Sequence, residues 1–133
     1  GTGGTLTGVG RYLKEWNPDV TVVAVEPAGS AVLSGEKAGP HKLQGIGAGF
    51  VPEILDRSII NKVVTVEADE AYAAARRLVR TEGVLCGVSS GAALYAATEI
   101  AKDLSNSGKN IVVLLPDTGD RYLSTELFAG EKE

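Results

Sequence analysis

Short runs of β-branched and aliphatic residues alternate along this chain with longer alanine- and leucine-rich stretches, and that alternation constrains the fold more than any other feature. Residues 20–25 (VTVVAV), 62–66 (KVVTV), 84–88 (VLCGV) and 110–115 (NIVVLL) read as strands. Near-continuous apolar runs suit a parallel sheet covered on both faces, because a half-wet strand would alternate apolar with polar. Residues 5–16 carry Leu6, Val9, Tyr12, Leu13 and Trp16 at helical spacing, and Asn17-Pro18 stops them. A second helix is predicted over 70–81, capped by Asp69, with Ala71, Ala75, Leu78 and Val79 as its stripe. A third is predicted over 91–104, with Ala93, Ala97, Ile100, Ala101 and Leu104 inward and Gly108 as its stop. The order is helix, strand, loop, strand, helix, strand, helix, strand, short helix. It predicts an α/β fold: an open, mostly parallel sheet with helices on both faces and right-handed crossovers.

Residues 28–52 break the alternation. Glycine occurs 17 times in 133 residues, well above its usual ~7% share. Gly29, Gly35, Gly39, Gly45, Gly47 and Gly49 all fall in this stretch. A loop this long without a clear period points to function rather than filler. A length of 133 residues fits one domain with a core of its own. The net charge of −4 disfavours a nucleic-acid partner, since phosphate binding needs a basic face. The single cysteine excludes an internal disulfide, and no apolar run approaches the ~20 residues of a helical membrane span. Methionine is absent and the chain opens inside a glycine loop, so it reads as a piece of a longer polypeptide.

Sites for chemistry fall at the junctions between elements. Gly1-Thr2-Gly3-Gly4-Thr5 opens the first helix, where free N–H groups, the helix dipole and missing Cβ atoms favour an anion. A phosphate cup and a tight turn are equally good readings of it by pattern alone. Leu6 at the sixth position departs from the dinucleotide fingerprint, and no Gly-Lys-Ser/Thr follows to make a P-loop. Ser89 lies where the third strand meets the third helix, in Val88-Ser89-Ser90-Gly91; on pattern, helix capping is the better reading. Asp117, in Pro116-Asp117-Thr118-Gly119, follows the fourth strand, where a polar turn capped by Thr118 or Asp117 is the plain alternative. His41 is a lone loop histidine, and Cys86 reads as a buried, inert thiol. No metal-ligand spacing and no nucleophile–histidine pairing occurs. Three such junctions together suit a phosphate-bearing ring cofactor along the carboxyl edge of the sheet.

These residues resemble the cysteine synthase (O-acetylserine sulfhydrylase) family of fold-type-II pyridoxal-phosphate enzymes. The resemblance is carried by GTGGTLTGVGRYLKE at 1–15, AVEP at 24–27, VLSGEKAGPHKLQGIGAGFVP at 32–52, GVSSGAA at 87–93 and VVLLPDTGDRYLST at 112–125. It implies that residues 1–133 are the C-terminal part of the large cofactor-binding domain, with the N-terminal domain outside this chain. It implies pyridoxal 5'-phosphate as cofactor, held through its phosphate by Gly1, Thr2, Gly3, Gly4 and Thr5. Ser89 would face the pyridine nitrogen, and Asp117 would join the cofactor-binding set. A hydroxyl partner does not favour a protonated ring nitrogen, which suits β-elimination over reactions needing a long-lived carbanion. Gly45, Gly47, Ala48, Gly49 and Phe50 would line the active-site entrance. His41, Lys42 and Gln44 would meet the C-terminal tail of serine acetyltransferase there.

The implied substrates are O-acetylserine and sulfide, and the implied parent is a cytoplasmic homodimer that binds neither nucleic acid nor membrane. The family's Schiff-base lysine lies upstream of the phosphate loop. Lys14, Lys37, Lys42, Lys62, Lys102, Lys109 and Lys132 match no such motif, so this chain by itself is expected to be inactive. A cystathionine β-synthase-like enzyme remains open as an alternative. So does a non-catalytic half-domain that binds the acetyltransferase tail.

Overall fold

Helix α1 (Gly4–Trp16) starts one residue ahead of the sequence expectation, because Gly3 turns the chain into it with a left-handed φ of 82°. In this computed structural model, which describes residues 1–125, 127 and 128, the chain divides into two units. Residues 1–41 and 45–65 form the first; residues 42–44 and the described residues from 66 onward form the second.

In the first unit, β1 (Val23–Pro27) and β2 (Lys62–Val66, whose last residue belongs to the second unit) form a two-stranded parallel sheet. Asn61 sets their register. Its backbone N–H donates to the Val22 carbonyl at 2.9 Å, and its Oδ1 accepts from the Val22 N–H at 2.8 Å. The same Oδ1 accepts from Lys14 Nζ at 2.8 Å, which ties the last turn of α1 to the sheet. Helix α1 meets its neighbours through small residues. Thr7 and Gly10 are buried, and a Cβ on Gly10 would strike Ile59 and press on Val22. The expected apolar stripe faces elsewhere: Val9, Tyr12, Leu13 and Trp16 are exposed, Trp16 to 76%. Their spacing identified the helix correctly, but nothing among the described residues covers that face.

In the second unit, α2 (Ala68–Glu82) and α3 (Val88–Ala101) pack against each other. Helix α2 starts earlier than expected, and its N-cap is Glu67 rather than Asp69. The Glu70 carboxylate reaches back to accept from the Glu67 N–H at 2.9 Å, completing a capping box with Glu67. Ala71 and Ala75 are buried as expected, together with Tyr72, whose hydroxyl donates to the Lys42 carbonyl at 3.0 Å. Helix α3 also starts three residues early and ends at Ala101. Its buried stripe is Val88, Ala92 and Ala96 rather than Ala93, Ala97 and Leu104, and Leu104 is 88% exposed. The reason is Gly91, which lies so close to α2 that a Cβ would run into the Ala71 carbonyl oxygen. That approach turns the Ala92–Ala96 side of the helix inward. Gly108, with φ 78°, follows a separate single turn at Leu104–Asn106 instead of ending α3.

The α/β class holds, but the sheet is smaller than the sequence predicts. Residues 84–88 form no ladder strand: Cys86 makes one antiparallel bridge to Thr118, and α3 begins at Val88. Residues 110–115 form no strand among the described residues, and Val112 and Leu114 are exposed. An apolar run specifies two covered faces and hydrogen-bonded neighbours. Neither is present for this segment among the described residues.

Candidate cofactor site

The glycine loop opening α1 has the chemistry of an anion cup. Gly3, at the N-cap, offers no side-chain cap, and the first turn of α1 carries no acidic residue. The hydroxyl of Thr2 accepts from the Gly4 N–H at 3.2 Å, and the helical ladder begins with Thr7 N–H donating to the Gly3 carbonyl at 3.0 Å. Gly3 must be glycine twice over: its φ is positive, and a Cβ would press into Leu55. Thr7 is committed elsewhere, its hydroxyl accepting from the Asp56 N–H at 3.0 Å.

A cavity of about 160 Å³ opens beside this loop within the first unit. Gly1, Gly3 and Leu6 form one wall, Ala24, Val25 and Glu26 at the end of β1 another, and Ile46, Gly47, Ala48 and Phe50 a third. The 28–52 segment is held over it by specific bonds. The buried Glu26 carboxylate accepts from the Leu33 N–H at 2.7 Å, the Ser34 N–H at 2.9 Å and the Ser34 hydroxyl at 2.7 Å. Ser30 accepts from the Gly39 N–H at 3.2 Å, and His41 Nε2 bonds the Gly47 carbonyl at 2.8 Å. Gly47 has φ 66°, and a Cβ there would strike Pro27 and His41.

Of the residues expected at the entrance, Gly47, Ala48 and Phe50 line this cavity. The Gly45 carbonyl lies close to Gly1, 3.1 Å from where a Cβ would stand. Gly49 is in the same loop with φ 86° but is not a lining residue, and His41 acts as a brace for Gly47. Lys42 and Gln44 are exposed, belong to the second unit and do not line the cavity. Glu26 escaped the sequence reading as a site residue. A lone carboxylate at the end of an apolar strand was the available signal, since a buried charge demands donors.

The second unit holds Ser89 and Asp117. Capping does not describe Ser89: the N-cap of α3 is Gly87, with no side-chain cap bond. Ser89 sits in the first helical turn, buried, and its hydroxyl has no hydrogen-bond partner among the described residues. The neighbouring Ser90 hydroxyl donates to the Asp117 carbonyl at 3.3 Å, and the Gly87 N–H donates to the same oxygen at 3.2 Å. Asp117 is held from the other side by Tyr122, whose hydroxyl donates to Oδ2 at 2.7 Å. Thr118 caps the single turn Gly119–Tyr122 by accepting from the Asp120 N–H at 3.3 Å. Burial pushes the Tyr122 phenol up, with the Asp117 bond adding to it.

Cys86 is buried beside this cluster, and burial followed by the Asp117 charge raises its thiol above the ordinary range. Because folding holds the thiol neutral, its contribution to stability is complete below the unfolded thiol pKa and is lost as pH rises through and beyond it. Alkylation of Cys86 by iodoacetamide at neutral pH is therefore expected to be slow in the folded chain and fast in urea. Equal rates would show the thiol to be exposed.

Taken separately, the uncapped glycine start of α1 in the first unit suits a phosphate group, and the Ser89 hydroxyl in the second unit, without a hydrogen-bond partner among the described residues, suits a ring atom. The chain matches the family described as "Pyridoxal-phosphate dependent enzyme" over residues 1–117, and it belongs to that family. Among curated proteins it is 52% identical over 129 residues to the cysteine synthase of Staphylococcus aureus strain N315, covering 97% of this chain and 41% of that one. Its fold superposes on the crystal structure of a cysteine synthase from Entamoeba histolytica with a TM-score of 0.97 at 44% identity, covering 100% of this chain and 39% of the other. O-ureido-L-serine synthase is similar too, with a TM-score of 0.92 and 45% identity, covering 97% of this chain and 40% of that one. The chain thus spans about two fifths of the length of the relatives it matches.

Proposed function

We propose that this chain is the phosphate- and ring-binding part of a cysteine synthase, which exchanges the acetate of O-acetylserine for sulfide and releases L-cysteine and acetate. One observation carries the reading: the uncapped glycine start of α1 opens on the cavity beneath the 28–52 loop. Pyridoxal phosphate, when bound, supplies the electron sink that lets acetate leave the β carbon. The residues do the rest. Backbone amides and hydroxyls of Gly1, Thr2, Gly3, Gly4 and Thr5 hold the phosphate, where helix N-terminal charge favours an anion. Ser89 meets the ring nitrogen, with Asp117 beside it in the ring-binding set. Gly45, Gly47, Ala48, Gly49 and Phe50 shape the entrance and limit water at the reacting carbon. His41, Lys42 and Gln44 meet an acetyltransferase tail at that mouth. A cytoplasmic homodimer completes the reading.

The lysine that anchors the cofactor and moves the substrate proton lies outside this chain, so residues 1–133 by themselves turn nothing over. A chimera tests the whole proposal. In it, this chain replaces the matching segment of the Staphylococcus aureus relative. The chimera is expected to form cysteine from O-acetylserine and sulfide within about tenfold of the parent rate, a rise of roughly 1.4 kcal/mol in barrier height at most. A chimera that folds and binds pyridoxal phosphate but forms no cysteine would overturn the substrate assignment. Cysteine formation by the 133-residue chain alone would overturn the claim that it is inactive.

A further inference from the structure

We propose that a second cavity of the first unit, at the start of β2, is an anion site that takes a sulfate or phosphate group on Arg57, Asn61 and Lys62. It is separate from the glycine start of α1 and does not rest on the pyridoxal-phosphate reading.

The cavity holds about 190 Å³ and is lined by Leu33, Arg57, Ile60, Asn61, Lys62 and Val63, all in the first unit. Two of these side chains are cations, a third is an amide and none is a carboxylate, in a chain whose net charge is −4. Their donors have capacity to spare. Arg57 Nη2 donates to the Leu33 carbonyl at 3.0 Å, and the guanidinium has no other partner among the described residues. Asn61 Oδ1 accepts from the Val22 N–H and from Lys14 Nζ, both at 2.8 Å. Those two donors fix the orientation of the amide, and its Nδ2 has no partner among the described residues. Lys62 Nζ has none there either.

The carboxylates that could neutralise these cations are committed elsewhere. Asp56 accepts from Arg11 Nη2 at 2.9 Å and from the Ser58 N–H at 3.0 Å, while Glu26 is taken by Leu33 and Ser34. Two like charges lining one cleft without a counter-charge repel each other, and a dianion between them turns that cost into attraction. Leu33, Ile60 and Val63 are half-buried and give the cleft apolar walls, which concentrate the field of the two cations. The donor set selects a tetrahedral oxyanion over a halide. A guanidinium offers parallel N–H groups to two oxygens, and an ammonium and an amide reach the others. Leu33 also lines the cavity beside the glycine loop, so an anion held by Arg57 braces the Val32–Ser34 turn that walls the candidate cofactor site.

The test follows amide ¹H–¹⁵N shifts of the labelled chain during titration with sodium sulfate, against sodium chloride at matched ionic strength. In the wild type the amides of Leu33 and of residues 60–63 are expected to shift saturably, with half-saturation on the order of millimolar sulfate. Inorganic phosphate is expected to move the same amides. Lys62→Gln, which breaks no side-chain bond among the described residues, is expected to weaken this binding about tenfold and to leave the response of Gly3, Gly4 and Thr5 as in the wild type. Arg57→Lys keeps the charge but loses the fork, and is expected to weaken binding several-fold. Sulfate shifts confined to Gly3, Gly4 and Thr5 would overturn the inference and leave the phosphate cup standing. Equal responses to sulfate and chloride, or an unchanged affinity in Lys62→Gln, would overturn it as well.

Discussion

Replacing Glu26 by alanine is expected to destabilise the chain by about 3 kcal/mol or more, since it strands two backbone donors and one hydroxyl that its buried carboxylate now satisfies. An unsatisfied donor costs about 1–3 kcal/mol where it is buried, and Ser34, which is exposed, recovers part of the sum from water. Glu26→Gln keeps one acceptor oxygen and is expected to lose roughly half as much. Urea denaturation of the three proteins, read at constant m value, measures both numbers. The effect extends to function, because the same bonds hold the beginning of the 28–52 loop beside the cavity. A chimera carrying Glu26→Ala should lose substrate affinity before it loses cofactor. An alanine variant as stable as the wild type would show that the three donors find water instead.

Two glycine-to-alanine substitutions are expected to act in opposite directions. Gly91→Ala places a Cβ against the Ala71 carbonyl oxygen and the Ala75 side chain, so α2 and α3 must move apart. Overpacking of this kind costs about 1–3 kcal/mol, and the helix-propensity gain of about 1 kcal/mol offsets only part of it. Gly8→Ala, in the middle of α1, meets nothing within 4 Å. That variant is expected to gain up to about 1 kcal/mol from propensity alone. Thermal melts of the pair separate backbone entropy from packing. If both variants melted above the wild type, the close α2–α3 approach would not be present in solution.

Much of the candidate site could be read from the sequence because its parts are local. A glycine run at a helix start needs only its own backbone to offer N–H groups to an anion, so Gly1 to Thr5 are legible from spacing. The 28–52 loop is legible from its glycine content, and Gly45, Gly47 and Gly49 do take positive φ. Ser89 is different. Pattern alone favours capping, and only the placement of Gly87 at the N-cap leaves the Ser89 hydroxyl without that task. Glu26 was likewise hidden, because its three donors come from residues seven and eight positions away, in the single helical turn Val32–Ser34.

The amino-acid sequence by itself determined which segments are helical, which turns need glycine, that the class is α/β, and which family the chain resembles. Those properties follow from side-chain spacing and from backbone angles that act within a few residues. The tertiary structure alone decided which face of each helix is buried. In α1 the small residues Thr7 and Gly10 turn inward while Tyr12 and Trp16 stay exposed, and in α3 contact at Gly91 moves the buried stripe to Ala92 and Ala96. It also decided that residues 84–88 and 110–115, strand-like in composition, form one bridge and no ladder among the described residues. Spacing sets the period of an element, but a helix face is buried, or a strand paired, only by neighbours whose positions no local pattern encodes.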